Sequence, residues 1–175
     1  MDTSAGFFRV KAKRLGAFVR FLGREYGGRV RKMRRASSEV VRAGLLDVPG
    51  IGPETADSIL LYAVGVPIFV VDAYTRRIFA RLGVITGRES YQVVQAFFQA
   101  HLPKDAELYN DYHAQIVTLG KEYCRTRPLC PQCPLESLCP RRGVGRASIE
   151  GEKGASRFRR ESRPREVQAE RATGS

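Results

Sequence analysis

The chain has 175 residues, 43% of them hydrophobic, enough for one domain or two small ones sharing a core and too little for a long multidomain assembly. Its longest apolar run, residues 59–71, is 13 residues interrupted by Gly65 and Pro67, short of the roughly 20 that a membrane helix needs, so a membrane span is excluded. Lys and Arg number 30 against 18 Asp and Glu, and the net charge of +12 points to a polyanionic partner, nucleic acid first and an anionic membrane surface second. The charge is uneven: +9 over residues 1–42, −2 over 43–140 and +5 over 141–175. No secretory signal opens the chain, so a cytoplasmic location is expected, on the nucleoid if the cell is bacterial.

Apolar positions recur at helical spacing almost throughout, which predicts an all-α fold. Residues 10–26 form an amphipathic basic helix with Leu15, Phe18, Val19, Leu22 and Tyr26 on one face. A second helix, capped by Ser37 or Ser38, runs to about Leu46. A third starts at Pro53, whose missing N–H costs nothing at a first helical position, with Ala56, Ile59, Leu60 and Ala63 on its apolar face. Asp72 caps a fourth that Gly83 ends, and two more cover about 89–101 and 105–123. The one strand candidate, residues 68–71, is too short to build a sheet. Arg29, Arg31, Lys32, Arg34 and Arg35 read as a solvated basic loop. From Arg141 only 8 of 35 residues are hydrophobic, which predicts a disordered basic tail.

The segment 45–57 joins two helices through a turn with two glycines. Glycine allows backbone angles closed to other residues and lets a ligand approach main-chain N–H groups. Those groups lie at the start of the Pro53 helix, where unpaired donors and the helix dipole favour a phosphate. Pro49, Gly50, Ile51, Gly52, Glu54 and Thr55 are therefore the candidate DNA-binding residues, gripping the backbone without reading bases. A bare G-x-G would be an ordinary helical hairpin; the full pattern L-x-x-x-P-G-I-G-x-x-T-A favours DNA.

This helix-hairpin-helix, followed by Val70-Val71-Asp72 and a further helix, resembles the endonuclease III superfamily of DNA glycosylases. The resemblance extends from about Gly6, where residues 6–15 are similar to a helix start in that family, to Cys139. It implies a partial helical-barrel glycosylase fold that lacks the family's N-terminal helices, which would leave apolar faces of the residue 10 and Pro53 helices exposed. Asp72 is locally a good N-cap, but the resemblance places the catalytic aspartate there. Cleaving an N-glycosidic bond leaves positive charge on the sugar, which a carboxylate can stabilise while it helps deprotonate a water. Burial behind Ile68, Phe69, Val70 and Val71 is expected to raise its pKa. Bifunctional members carry a lysine two residues after the second hairpin glycine, whose amine forms a Schiff base. Glu54 stands there, no lysine lies between Lys32 and Lys104, and a carboxylate forms no imine, so a monofunctional enzyme is expected. The patterns Glu-x-Ala-Asp-x-Ile-Leu-x-Tyr and Val-Val-Asp-x-Tyr are similar to the 3-methyladenine glycosylase branch, implying alkylated bases.

Cys124, Cys130, Cys133 and Cys139 fall within 16 residues. With no sign of secretion, metal binding is favoured over disulfides. Structural zinc prefers two close Cys pairs, and the spacing C-x5-C-x2-C-x5-C holds one; it is similar to the family's 4Fe-4S loop with the first interval one residue shorter. A 4Fe-4S cluster is expected, zinc being the alternative, with Lys121, Arg125 and Arg127 available to phosphate. His113 is expected as a packed helix residue and His101 as a surface group; Tyr62, Tyr74 and Tyr91 could line a base pocket but sit at core positions. The expected organisation is a glycosylase core over 1–104, a helix and cluster loop over 105–140 and the tail over 141–175. The expected protein is a monomeric base-excision-repair glycosylase acting on double-stranded DNA with damaged bases. A noncatalytic iron–sulfur DNA-binding remnant and a bifunctional glycosylase/AP lyase are the alternatives.

Overall fold

The computed structural model describes residues 3–145, with side chains from residue 8 onward, so most of the tail expected over 141–175 lies outside the described residues. Among these residues the regular elements are all helical: α1 (Thr3–Tyr26), α2 (Val30–Met33), α3 (Ser38–Leu46), α4 (Pro53–Ser58), α5 (Ala73–Leu82), α6 (Tyr91–His101) and α7 (Ala106–Glu122). The helix of α4 continues without a break into a π-helical segment, Ile59–Val64, which Gly65 ends in the left-handed conformation. A single 3-10 turn, Cys130–Gln132, lies in the cysteine loop.

Side-chain chemistry fixes most boundaries. Ser37, Asp72, Ser90 and Asp105 each accept a hydrogen bond from the backbone N–H three residues on, as N-caps do. Ser90 therefore starts α6 two residues later than the apolar pattern predicts, while Glu89 instead accepts from the N–H and hydroxyl of Thr86. Residues 68–71 are extended but pair with no strand.

Two cores organise the chain. Phe21, Met33, Val41, Leu45, Val48, Ala56 and Leu60 are buried among α1–α4. Leu61, Phe69, Val70, Val71, Ile78, Val94, Phe98, Tyr109 and Ile116 are buried among α5–α7 and the end of the π segment. Burying each such side chain contributes on the order of 1.5–3 kcal/mol. The two meet at Ile68 and along a buried polar bridge. Asp57, fully buried, accepts from Arg42 Nε (2.6 Å) and Nη2 (3.1 Å) and from Gln95 Nε2 (2.7 Å), and Gln95 also donates to the carbonyl of Phe69.

Two expectations need correction. Of the apolar face predicted for the first helix, Phe18, Leu22 and Tyr26 pack against the first core, but the buried residue of the described part of α1 is Phe21, and Leu15 (63%) and Val19 (56%) are exposed. The run of cations at 29–35 is not only loop, because it encloses α2, whose Met33 is fully buried. The cations themselves are exposed, and Arg34 caps the π segment by donating twice to the carbonyl of Ala63.

Candidate active site

The hairpin turn is held from below. Val48 N–H donates to Leu45 O and Ile51 N–H to Val48 O, while Val48 itself is buried. Gly50 has φ 89°, a region that L side chains rarely adopt. Gly52 caps α4 without a side chain, so no side-chain oxygen competes for the N–H groups that open the helix. Pro49, Gly50, Gly52, Glu54 and Thr55 are solvent-exposed, and Ile51 turns into the core. Exposed main-chain donors at a helix start suit a phosphate. One cation joins them: the side chain of Arg14 on α1 lies across Gly50, where an added Cβ would come within 2.4 Å of its Cγ. Nothing in the local motif signals that approach.

Asp72 follows directly on the buried segment Phe69, Val70 and Val71 and is itself 8% exposed. Its Oδ1 accepts from both the backbone N–H (2.7 Å) and the hydroxyl (2.8 Å) of the fully buried Thr75, so the residue is an N-cap as well as a buried carboxylate. Its Oδ2 faces Nε2 of His113 at 3.5 Å. Burial pushes the Asp72 carboxyl up, but the neighbouring His113 ring and the two hydrogen bonds from Thr75 outweigh it and hold the group below its ordinary value of 3.8. The expected upward shift is therefore reversed: the polar shell, not the apolar one, decides the charge.

Three other groups lie around Asp72. Glu54 sits at the first turn of α4, and burial followed by the negative charge of Asp72 pushes its carboxyl up. Tyr62, on the π segment and 45% exposed, is hydrogen-bonded through its hydroxyl to Nδ1 of His113. Its phenol is pushed up by burial and then by Asp72. His113 is packed, as predicted, but beside the carboxylate. No motif in α7 marks it; only its place on a helix packed against both α5 and the π segment does. The other two tyrosines pack elsewhere. Tyr74 lies under Gly120 with the Arg77 guanidinium 5.0 Å from its ring, and the Tyr91 hydroxyl accepts from Val71 N–H. His101 is exposed, as predicted.

Cys124, Cys130, Cys133 and Cys139 line one pocket with Arg81, Tyr123, Pro128, Glu136 and Arg141. All four are free thiols, and among the described residues no three His, Cys, Asp or Glu side chains are grouped to hold a metal ion. Burial pushes the Cys130 thiol up; Arg141 opposes this, and the other three cysteines add to it. Two arginines of α5 tie the loop down. Arg77 donates to the carbonyls of Cys124 (2.7 Å) and Gly120 (3.2 Å), and Arg81 to Cys124 Sγ (3.3 Å), Arg125 O (2.6 Å) and Thr126 O (3.1 Å). Lys121, in the last turn of α7, and Arg125 and Arg127 just beyond it are exposed.

No family model matches the chain. Individual proteins do. Over 137 residues it is 46% identical to a Methanocaldococcus jannaschii protein assigned by name to the DNA repair glycosylases, a match that covers 77% of this chain and 62% of that one. It is 32% identical to endonuclease III of Bacillus subtilis over 78% of this chain and 58% of the relative. Among solved structures, a non-covalent endonuclease III–DNA complex superposes with a TM-score of 0.64 at 29% identity, covering 79% of this chain and 60% of that chain. The chain thus spans about three-fifths of the length of the relatives it matches. These proteins share sequence and helical fold with the chain, and the chain belongs to the endonuclease III-like family of DNA glycosylases.

Proposed function

We propose that this chain is a base-excision-repair glycosylase that hydrolyses the N-glycosidic bond of a damaged base in double-stranded DNA and leaves an abasic site. The observation that carries the reading is Asp72, a buried carboxylate that accepts two hydrogen bonds from Thr75 and faces His113, neighbours that favour its ionised form. An ionised group there stabilises the positive charge that develops on the sugar and helps take a proton from the attacking water. The main chain of the exposed hairpin residues Gly50, Gly52, Glu54 and Thr55, with Arg14 across the turn, holds the DNA backbone beside it.

Glu54 supports a monofunctional reaction, since a carboxyl forms no imine with the sugar. The substrate we assign is an alkylated base, on the residue pattern from Glu54 to Tyr74. Relatives differ in what their names state: one is the thymine-DNA glycosylase of Aeropyrum pernix, 28% identical. Cys124, Cys130, Cys133 and Cys139, which line one pocket together with Glu136, are the residues that would hold the thiolate-bound 4Fe-4S cluster their spacing implies. When bound, such a cluster cross-links the loop through four iron–thiolate bonds; Arg77 and Arg81 fasten the same loop to α5.

A noncatalytic DNA-binding module is the second reading. Exposed Phe8, Leu15 and Val19 along one side of α1 favour it, because that side of the helix is uncovered among the described residues. Turnover separates the two. Duplex DNA treated with a methylating agent is incubated with the protein and divided into alkali-treated and untreated halves. Breaks only after alkali are expected. Breaks without alkali, or covalent trapping by borohydride, would refute the Glu54 argument. No break on methylated, G·T-mismatched or oxidised duplexes would leave the binding module.

A further inference from the structure

The chemistry assigned to Asp72 uses one carboxylate, yet the cleft around it holds a connected line of polar groups. His113 is 9% exposed, and its two ring nitrogens have different neighbours. Nδ1 is hydrogen-bonded to the Tyr62 hydroxyl. Nε2 is buried with no hydrogen-bond partner of ordinary geometry and lies 3.5 Å from Asp72 Oδ2. These partners fix where the ring proton sits. A bare Nε2 lone pair facing a buried carboxylate oxygen would be repelled, and removal of that repulsion requires a proton on Nε2. With Nε2 protonated, neutral imidazole leaves Nδ1 as an acceptor, and the Tyr62 O–H donates to it. The whole line then donates in one direction: Tyr62 O–H to Nδ1, and Nε2–H toward Oδ2. Protonating the ring fully would reverse only the Tyr62 bond and keep Nε2–H on the carboxylate side.

We propose that His113 is a positioning residue for Asp72. It points an N–H at the oxygen that Thr75 leaves uncommitted, and Tyr62 selects the tautomer that carries this proton. Resting on the glycosylase reading given above, this deepens it: Asp72 is clamped at both oxygens, Oδ1 from its own helix by Thr75 and Oδ2 across the cleft by α7. The clamp fixes the plane of the carboxylate, and with it the direction of its charge toward the sugar. It also couples three elements at the site, since Tyr62 belongs to the π segment that continues the hairpin helix. A π segment in place of α-helix is a common device at functional sites, because the wider turn redirects side chains. Glu54 is the remaining titratable group facing the same cleft.

The test uses His113→Leu, His113→Gln and Tyr62→Phe in the full chain. Base release from methylated duplex is measured in single turnover, and affinity is measured on a duplex with a tetrahydrofuran abasic analogue. His113→Leu is expected to slow release about 10- to 100-fold, the range for losing one hydrogen bond to a charged group, with affinity unchanged. His113→Gln, whose amide N–H can take the place of Nε2–H, recovers most of the rate. Tyr62→Phe lowers the rate less than His113→Leu and has no further effect once Gln stands at 113. A His113→Leu enzyme with the parent rate overturns the proposal, and so does parallel loss of rate and affinity in all three variants, which would mark a merely structural residue. Ring nitrogen NMR gives a readout independent of turnover: the Nε2–H signal is expected, and it should shift in Asp72→Asn. An Nδ1–H tautomer indifferent to Asp72→Asn overturns the pairing. If the parent protein releases no base from any duplex, the glycosylase reading falls and this spectrum alone decides the pairing.

Discussion

The hairpin half and the α5–α7 half are both helical, yet they hold their functional groups by opposite means. Around the hairpin the core is mostly aliphatic, with one edge-on ring pair, Phe21 and Tyr26, and the working surface is backbone: exposed glycines and the first turn of α4. Around α5–α7 the core is a set of interlocked rings, with Phe69 stacked on Phe98 at 4.3 Å and Tyr109 and Phe79 edge-on to that pair. There the groups proposed to work are side chains, Asp72 and His113 and the four thiols, and neighbours hold Asp72 through Thr75, His113 through Tyr62 and Cys124 through Arg81. A grip made of main-chain donors needs only the right turn, whereas a carboxylate needs a surround that fixes its plane and its charge. The first half should therefore tolerate side-chain substitution and the second should not.

The sharpest break in that comparison is Asp72→Asn. Asn keeps an oxygen for the Thr75 N–H, so the cap and the fold should persist, while base release from methylated duplex falls by about 10³-fold or more. Affinity for an abasic-analogue duplex should stay unchanged; turnover at the parent rate removes Asp72 from its role. The pH profile carries the same information. A carboxyl that titrates below its ordinary 3.8 in the native state contributes stability that is complete above 3.8 and is lost as pH falls through the native value. Acid loss of excision and of stability through this group should accordingly begin only below about pH 4. A limb centred nearer neutrality would contradict it.

Next in size is Phe69→Ala. Phe69 is fully buried at the centre of the ring cluster and belongs to the segment that delivers Asp72. Loss of about 3–5 kcal/mol in denaturant unfolding is expected, as for other buried aromatic deletions. Excision by the folded fraction should fall too, because the segment that aims Asp72 loses its anchor; an enzyme destabilised but fully active per folded molecule would separate packing from positioning.

Much of this architecture is legible in the sequence, for reasons that particular residues make plain. Caps act locally, so Ser37 and Asp72 announce their helices, and the glycine pattern of 50–52 announces the hairpin. Asp72 could be singled out because its segment has a family counterpart. What stays hidden depends on distance in the chain. His113 lies 41 positions from Asp72, Gln95 38 from Asp57 and Arg81 43 from Cys124, and no local pattern couples them. The upward shift expected for Asp72 fails for the same reason: its apolar run is visible in the sequence, and the His113 donor is not. Asp57 did leave a signal, a carboxylate at a core-facing helical position between Ala56 and Leu60, which demands a buried partner. Charge concealed α2, since Val30 and Met33 are two apolar residues among five cations.

A smaller effect sharpens the contrast between the halves through two glycines inside helices. At Gly120, where α5 and α7 cross, an added Cβ would lie 2.3 Å from Tyr74 Cδ1 and 3.0 Å from its Cβ, too near the backbone for the ring to swing clear. At Gly44 the added Cβ meets only the far edge of the Phe21 ring at 3.0 Å. Gly120→Ala should cost about 1–3 kcal/mol despite its gain in helix propensity. Gly44→Ala should be close to neutral, the propensity gain offsetting a small ring shift. Urea midpoints of the two variants measure this directly, and equal losses would mean that the two cores are equally rigid.

The smallest effect tests the grip itself. Arg14 lies across Gly50, reaches the hairpin from a different helix and has an exposed side chain, so its removal leaves both cores untouched. If main-chain N–H groups carry the hold on the phosphates, Arg14→Ala should leave the unfolding midpoint unchanged and weaken binding to an abasic-analogue duplex only a few-fold. The loss should be the same for any flanking sequence, because a phosphate contact reads no bases. It should also flatten the dependence of log K on log salt by about 0.9, the share of one phosphate contact. Binding abolished at every salt concentration would show instead that the hairpin depends on a side chain as the catalytic half does, and the distinction between the halves would fail. An unchanged salt slope would place Arg14 outside the DNA contact and leave the hairpin backbone as the grip on its own.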